Sequence, residues 1–212
     1  MNDRGDNRDR SRAVRIESVS VHYLKRSDPE IVEGLLAGDP AAARAIVEKH
    51  GPSINARIWR MMGADSEHED VVQQVFLAIF NSIAKLKDPQ ALQDWIGKIT
   101  VNIVRNELRS RRMRRFIRLS AEEAEPLLVG ADLEKQIAAR RGFAILDRLP
   151  VEERILFILR FVEGAGLDEI SMHTGHSVAT VKRRLVKARD TFLKKAQRDP
   201  ELVPLFMEEM RG

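Results

Sequence analysis

Three Asp-Pro dipeptides, Asp28-Pro29, Asp39-Pro40 and Asp88-Pro89, each stand just ahead of a stretch in which apolar residues recur every three or four positions. An aspartate side chain accepts from the free N–H groups of a first helical turn. A proline in the next position has its φ already set for that turn and lacks only a donor that would go unused. The pattern predicts helices over roughly 29–37, 40–50, 53–62, 67–86 and 89–115. No segment alternates apolar and polar residues for long enough to make a strand, so the expected fold is all-α.

The 212 residues can bury a real core in one domain or two small ones. With no cysteine, the chain has no disulfide framework, thiolate metal site or thiol nucleophile. Its apolar runs are too short to span a membrane, and the start "MNDRGDNRDRSRAVR" lacks the apolar stretch of a secretory signal, so a cytoplasmic location is expected. The acids of "DSEHED" around His68 fit a helix start, where the dipole favours negative charge, better than a metal. His173 and His176 lack a third ligand, and "GAG" at 164–166 follows no strand. No catalytic site, metal or cofactor is expected, and the chain is not read as an enzyme.

Net charge is +4, but it is unevenly spread. Residues 105–118 carry +6 and 181–198 carry +7, whereas 28–104 and 119–180 carry −4 and −5. Two cationic blocks separated by acidic sequence make the electrostatic footprint of a nucleic-acid binder, although each block alone also suits a solvated helix face.

The helix expected at 67–86 has a core face of Val72, Val75, Phe76, Ile79, Ile83 and Leu86. Asp70, Gln74, Leu77 and Asn81 form another face, with Gln73 beside it, either a polar stripe facing water or a docking face for a partner. In the helix at 89–115, Leu92, Ile96, Ile99 and Ile103 share one angular position. Lys98, Asn102, Arg105, Arg109 and Arg112 form a second stripe about 130° away at 100° per residue. The expectation is a helix anchored through its first half that turns a guanidinium row outward in its second. Trp95 beside that row is either core or a stacking surface for single-stranded bases.

Residues 116–140 read as an acidic linker interrupted by Pro126 and Gly130. A second helical unit follows, with helices at about 150–162 and 167–174, a stop at Gly175, and a last helix capped by Ser177. Val178, Val181, Leu185, Ala188 and Phe192 are expected to face inward, and Lys182, Arg183, Arg184, Lys187 and Arg189 outward. A short helix, a glycine turn and a basic helix make a helix-turn-helix, the unit that lays its second helix in the DNA major groove.

Together these pieces resemble the extracytoplasmic-function group of bacterial RNA polymerase sigma factors. "DVVQQVFLAIF" is similar to that group's Asp-x-x-Gln-x-x-Phe helix through Asp70, Gln73 and Phe76, with Gln74 where an acid is usual. "DWIGKITVNIVRNELRSRRMRR" matches its next helix through Trp95, Ile96, Ile99, Asn102 and Arg109, with Thr100 and Asn106 in place of alanine and aspartate. "LPVEERILFILRFVEG" and "SVATVKRRLVKAR" match its second domain through Leu149, Pro150, Arg154, Ser177, Thr180, Val181, Lys182, Leu185, Ala188 and Arg189. Ser171, Thr174 and His176 replace apolar or alanine residues in the corner, which implies looser packing or a changed promoter preference.

The resemblance implies two helical domains, a region 2-like bundle at 28–115 and a region 4-like helix-turn-helix at 141–197, flanked by a polar arm at 1–27 and a tail at 198–212. It implies docking on the clamp helices of core RNA polymerase through Asp70, Gln73, Gln74 and Leu77, with the flap as a second polymerase contact. It implies recognition and melting of a minus-ten element by Trp95, Lys98, Asn102, Arg105, Arg109, Arg111 and Arg112. The loop at about Leu86 to Gln93 would capture an unstacked base, with no ATP involved. Ser177, Thr180, Lys182, Arg183, Arg184, Lys187 and Arg189 would read a minus-thirty-five element. An anti-sigma protein is a further expected partner. From the residues alone, a stand-alone helix-turn-helix regulator and an adaptor using these faces for protein contacts stay open.

Overall fold

The computed structural model of the chain describes residues 26–63, 67–117 and 141–197. The expectations for most of the N-terminal arm, for the acidic linker and for the tail lie outside the described residues. Helix α1 spans Asp28–Leu36 and α2 spans Pro40–Met62. After them come α3, His68–Ser82, and α4, Leu92–Ile117. A helical segment at 141–146 leads into α5, Val151–Phe157, which continues as a π-helical turn over Ile158–Val162. Helices α6, Leu167–Thr174, and α7, Val178–Ala196, complete the second unit. Among the described residues no strand forms.

Local chemistry places most helix starts. The Asp39 carboxylate accepts from the Ala41 N–H at 2.8 Å, and that of Asp88 from the Gln90 N–H at 2.9 Å, heading a 3-10 turn that runs into α4. At α1 the cap is Ser27 rather than Asp28. Ser27 and Glu30 form a capping box, and Asp28 instead pairs with Lys49 at 2.8 Å and His50 at 3.1 Å. The two helices expected at 40–50 and 53–62 are one helix running through Pro52. A proline there removes one backbone bond. The continuous buried face of Ala42, Ala45, Ile46, Ile54, Ile58 and Met61 outweighs that loss.

Val75, Ile79 and Ile83 are buried as expected, with Val71, while Val72, Phe76 and Leu86 pack half-buried against the core. On α4 the anchor does not stop at the first half. Leu92 and Ile96 are buried, Ile99 and Ile103 only half-buried, and Thr100, Val101, Val104 and Leu108 carry the buried face into the second half. In the second unit Phe157 stacks on Phe192 at 4.6 Å and meets Phe161 at 4.8 Å. One contiguous apolar cluster crosses from the first unit into the second.

Candidate nucleic-acid interface

The helix-turn-helix forms as its residues dictate. Gly175 ends α6 with φ 74°, a left-handed conformation that favours glycine. The Ser177 hydroxyl then accepts from the Thr180 N–H at 3.3 Å and starts α7. The polar residues of the corner tie it rather than loosen it. Ser171 Oγ donates to the His176 carbonyl at 2.6 Å, and Thr174 Oγ1 donates to the Ile170 carbonyl at 2.6 Å.

Val181, Leu185, Ala188 and Phe192 seat α7 on the core, while Val178 is half-buried. Lys182, Arg183 and Lys187 face solvent; Arg184 and Arg189 sit lower on the flanks, half-buried rather than fully outward. Lys182, Arg183 and Arg184 have no acidic partner among the described residues. Lys187 reaches Glu153 at 3.2 Å, and Arg189 reaches Asp190 at 3.6 Å. A helix held on one side and cationic on the other suits a DNA groove.

The stripe on α4 is placed differently from the expectation. Lys98 and Arg112 are exposed, but Arg105 has a side chain only 12% exposed. Its Nε lies 3.0 Å from Glu152 Oε1, its Nη2 donates to the Thr174 carbonyl at 3.0 Å, and its Nη1 donates to Asn102 Oδ1 at 2.5 Å. Arg109 Nη2 donates to the same Glu152 oxygen at 2.7 Å. Arg111 does not belong to an outward row. It is buried, paired with Glu107 at 3.0 Å and Glu67 at 3.2 Å. Burial pushes the Glu107 carboxyl up, but bonds from Arg114 and Arg111 outweigh this and hold it below the usual carboxylate range. Trp95 is half-buried and packed against the core.

Arg105 and Arg109 are thus paired within the chain, while Lys98 and Arg112 stay exposed. The second unit also sends Glu163, its side chain 6% exposed, to Arg57 Nε at 2.9 Å and Arg60 Nε at 3.2 Å on α2. Glu152, Glu163 and their seam were not singled out in the sequence. The one available signal was that residues 119–180 carry −5 next to the +6 of 105–118.

On α3, Asp70, Gln73 and Gln74 are exposed, and Leu77 is 59% exposed. Phe80 joins this face at 37% exposure, a residue the spacing 73, 77, 80 could have supplied. His68, beneath it, is buried, 2.6 Å from Asn55 Oδ1 and 4.7 Å from the Trp59 ring, which gives it a packing role.

Two family patterns match in this order along the chain. Sigma-70 region 2 covers residues 46–114 and Sigma-70, region 4 covers 144–192, together more than half of the sequence. The RNA polymerase sigma factor NccH of Alcaligenes xylosoxydans xylosoxydans is 28% identical over 175 residues, 77% of this chain and 93% of that protein. The ECF RNA polymerase sigma factor SigE of Mycolicibacterium smegmatis is 29% identical over 168 residues, 72% of this chain and 62% of that protein. CnrH, solved in complex with the cytosolic domain of CnrY, shares the fold with a TM-score of 0.59 at 22% identity, covering 81% of this chain and 98% of that one. Region 2 and region 4 patterns on one all-helical chain, with relatives of this kind, carry the conclusion that the chain belongs to the extracytoplasmic-function group of RNA polymerase sigma factors.

Proposed function

We propose that this sigma factor divides its work among three faces. The basic face of α7 holds and reads duplex DNA at the minus-thirty-five element, α4 and the loop before it engage the minus-ten element, and the face of Asp70, Gln73, Gln74 and Leu77 docks on the polymerase clamp helices. The domains that carry these roles are 28–115 and 141–197.

The observation that carries the reading is a basic helix whose Lys182, Arg183 and Arg184 lack acidic partners among the described residues, on the same chain as an exposed Leu77–Phe80 face. Phosphate contacts from α7 fix register, and a few side chains read base edges. Exposed apolar residues flanked by amides suit a protein partner better than water, which speaks against a regulator acting without polymerase. Capture of an extruded base near Leu86 to Gln93 offsets an unstacking cost of a few kcal/mol. The chain acts in the cytoplasm as a transcription initiation factor, and no helix among the described residues is long and apolar enough to cross a membrane. An anti-sigma protein would compete for the same faces.

Run-off transcription with core polymerase, on promoters selected from a random template pool, tests the reading. Promoter-dependent transcripts are expected. Arg183→Ala with Arg184→Ala should abolish upstream recognition while sparing polymerase binding, and replacing Asp70 and Gln73 should do the reverse. Equal damage to one step by both pairs would show the roles to be misassigned.

A further inference from the structure

Where Leu108, Arg111 and Arg112 of α4 approach the turn that precedes α5, the chain forms a cavity of about 210 Å³. A water molecule takes up about 30 Å³ of liquid, so the space replaces about seven of them. None of the roles above makes use of it. Part of its lining is apolar: Met62, Leu108 and Leu149 are buried, and Val151 is half-buried. The rest is cationic, with Arg111, Arg112, Arg148 and Arg154 against one acid, Asp147.

Two of these guanidiniums are already answered. Arg111 meets Glu107 at 3.0 Å and Glu67 at 3.2 Å, and the buried Arg154 pairs with Asp147. Arg112 and Arg148 are exposed and have no acidic partner among the described residues. A concave, partly apolar space with two unanswered guanidiniums suits a small organic body that carries two negative charges. Guanidinium forks match phosphate oxygens in pairs, and a phosphate monoester carries close to two charges at neutral pH. A DNA phosphate carries one charge and is joined to neighbours on both sides, which a space of this size does not admit.

We propose that this cavity is a binding site for a small phosphate monoester, its phosphate bridging Arg112 and Arg148 and its organic body lying on Leu108, Leu149 and Val151. The site goes beyond the promoter and polymerase roles and does not depend on them. The Arg111–Glu107 and Arg154–Asp147 pairs fix half of the lining in place, so the ligand meets two free cations in a cavity already formed.

Isothermal titration calorimetry of the full chain at neutral pH tests this with phenyl phosphate, inorganic phosphate and phenol as probes. One phenyl phosphate should bind per chain. Inorganic phosphate should bind at least tenfold more weakly, because no ring leaves water for the apolar lining, and phenol alone should give no binding. Arg148→Ala should weaken phenyl phosphate by about tenfold, the loss of a charge-assisted hydrogen bond at an exposed site. Arg148→Lys keeps the charge without the fork and should recover only part of that loss. Arg148 is exposed, so both variants should melt as the parent does. Lys85→Ala, which removes an exposed cation that does not line the cavity, should leave the affinity unchanged.

Phenyl phosphate without saturable binding tighter than about 1 mM overturns the proposal. An unchanged affinity in Arg148→Ala overturns it as well. Inorganic phosphate bound as tightly as phenyl phosphate would be an ion on a cationic surface, with no site for a body. Equal weakening by Lys85→Ala and Arg148→Ala would be diffuse attraction to a basic chain, and either result refutes the site.

Discussion

Glu163→Gln keeps the shape of the side chain and removes its charge at a site 6% exposed. In the parent, Glu163 accepts from Arg57 Nε at 2.9 Å and Arg60 Nε at 3.2 Å, across the seam between the units. A hydrogen bond to a charged group is worth about 1.5–3 kcal/mol. Arg60 is 41% exposed, so water recovers most of what it loses, while Arg57 is 19% exposed and keeps, among the described residues, a neutral amide acceptor and the distant Glu169 at 3.9 Å. The seam should therefore weaken by about 2 kcal/mol, a roughly thirtyfold rise in the open-to-closed ratio. Amide hydrogen exchange reads this directly. Protection around Gly97 and along α6 should fall by that factor, while the interior of α3 exchanges as before. A double-mutant cycle with Arg57→Ala isolates the pair. A coupling below about 0.5 kcal/mol would mean that the two side chains are neighbours without holding the units together, and the reasoning would fail.

Further expectations concern DNA, the core and pH. Arg183→Ala with Arg184→Ala should lower the slope of log affinity against log salt by about 1.8 for duplex DNA, about 0.9 for each phosphate no longer neutralised; an unchanged slope would show that neither arginine touches phosphate. Phe192→Ala deletes a buried ring stacked on Phe157 and should cost about 3–5 kcal/mol in a denaturant or thermal melt, with a loss under about 1 kcal/mol contradicting the packing. His173 sits beneath Gly97, faced by His50, Arg57 and Arg60 from α2, Asp94 from α4 and Glu169 from its own helix. Burial and then Arg57 push its pKa below the ordinary 6.5, only partly opposed by Glu169 and Asp94. The closed form therefore binds fewer protons than the open one. Closure should be complete above the ordinary histidine value and weaken as pH falls through it, and amide protection around Gly97, corrected for the intrinsic exchange rate, should show that slope between about pH 8 and 5.5, flattened by His173→Gln.

Much of this was legible where the cause is local. The Asp39, Asp88 and Ser177 caps, the Gly175 stop and the inward stripe of α7 each depend on residues within a turn or two. So does the exposure of Asp70, Gln73, Gln74 and Leu77, which follows from which neighbours are apolar. The break expected between residues 50 and 53 does not form at Pro52. A local rule breaks a helix there, but a buried face contributed by residues on both sides of it keeps the helix whole.

The arginines of α4 show the other limit. Their spacing says that Arg105 and Arg109 share a side, but not what lies opposite. Glu152 is 43 residues beyond Arg109 and reaches it only because two separate helical units pack together. Helical periodicity and capping are properties of neighbours in sequence, so the chain alone determined the all-α architecture, the helix-turn-helix and its basic face. Which charges meet depends on how finished helices stack through space, and only the tertiary structure decided that Arg105 and Arg109 of α4 are answered by Glu152 of the second unit.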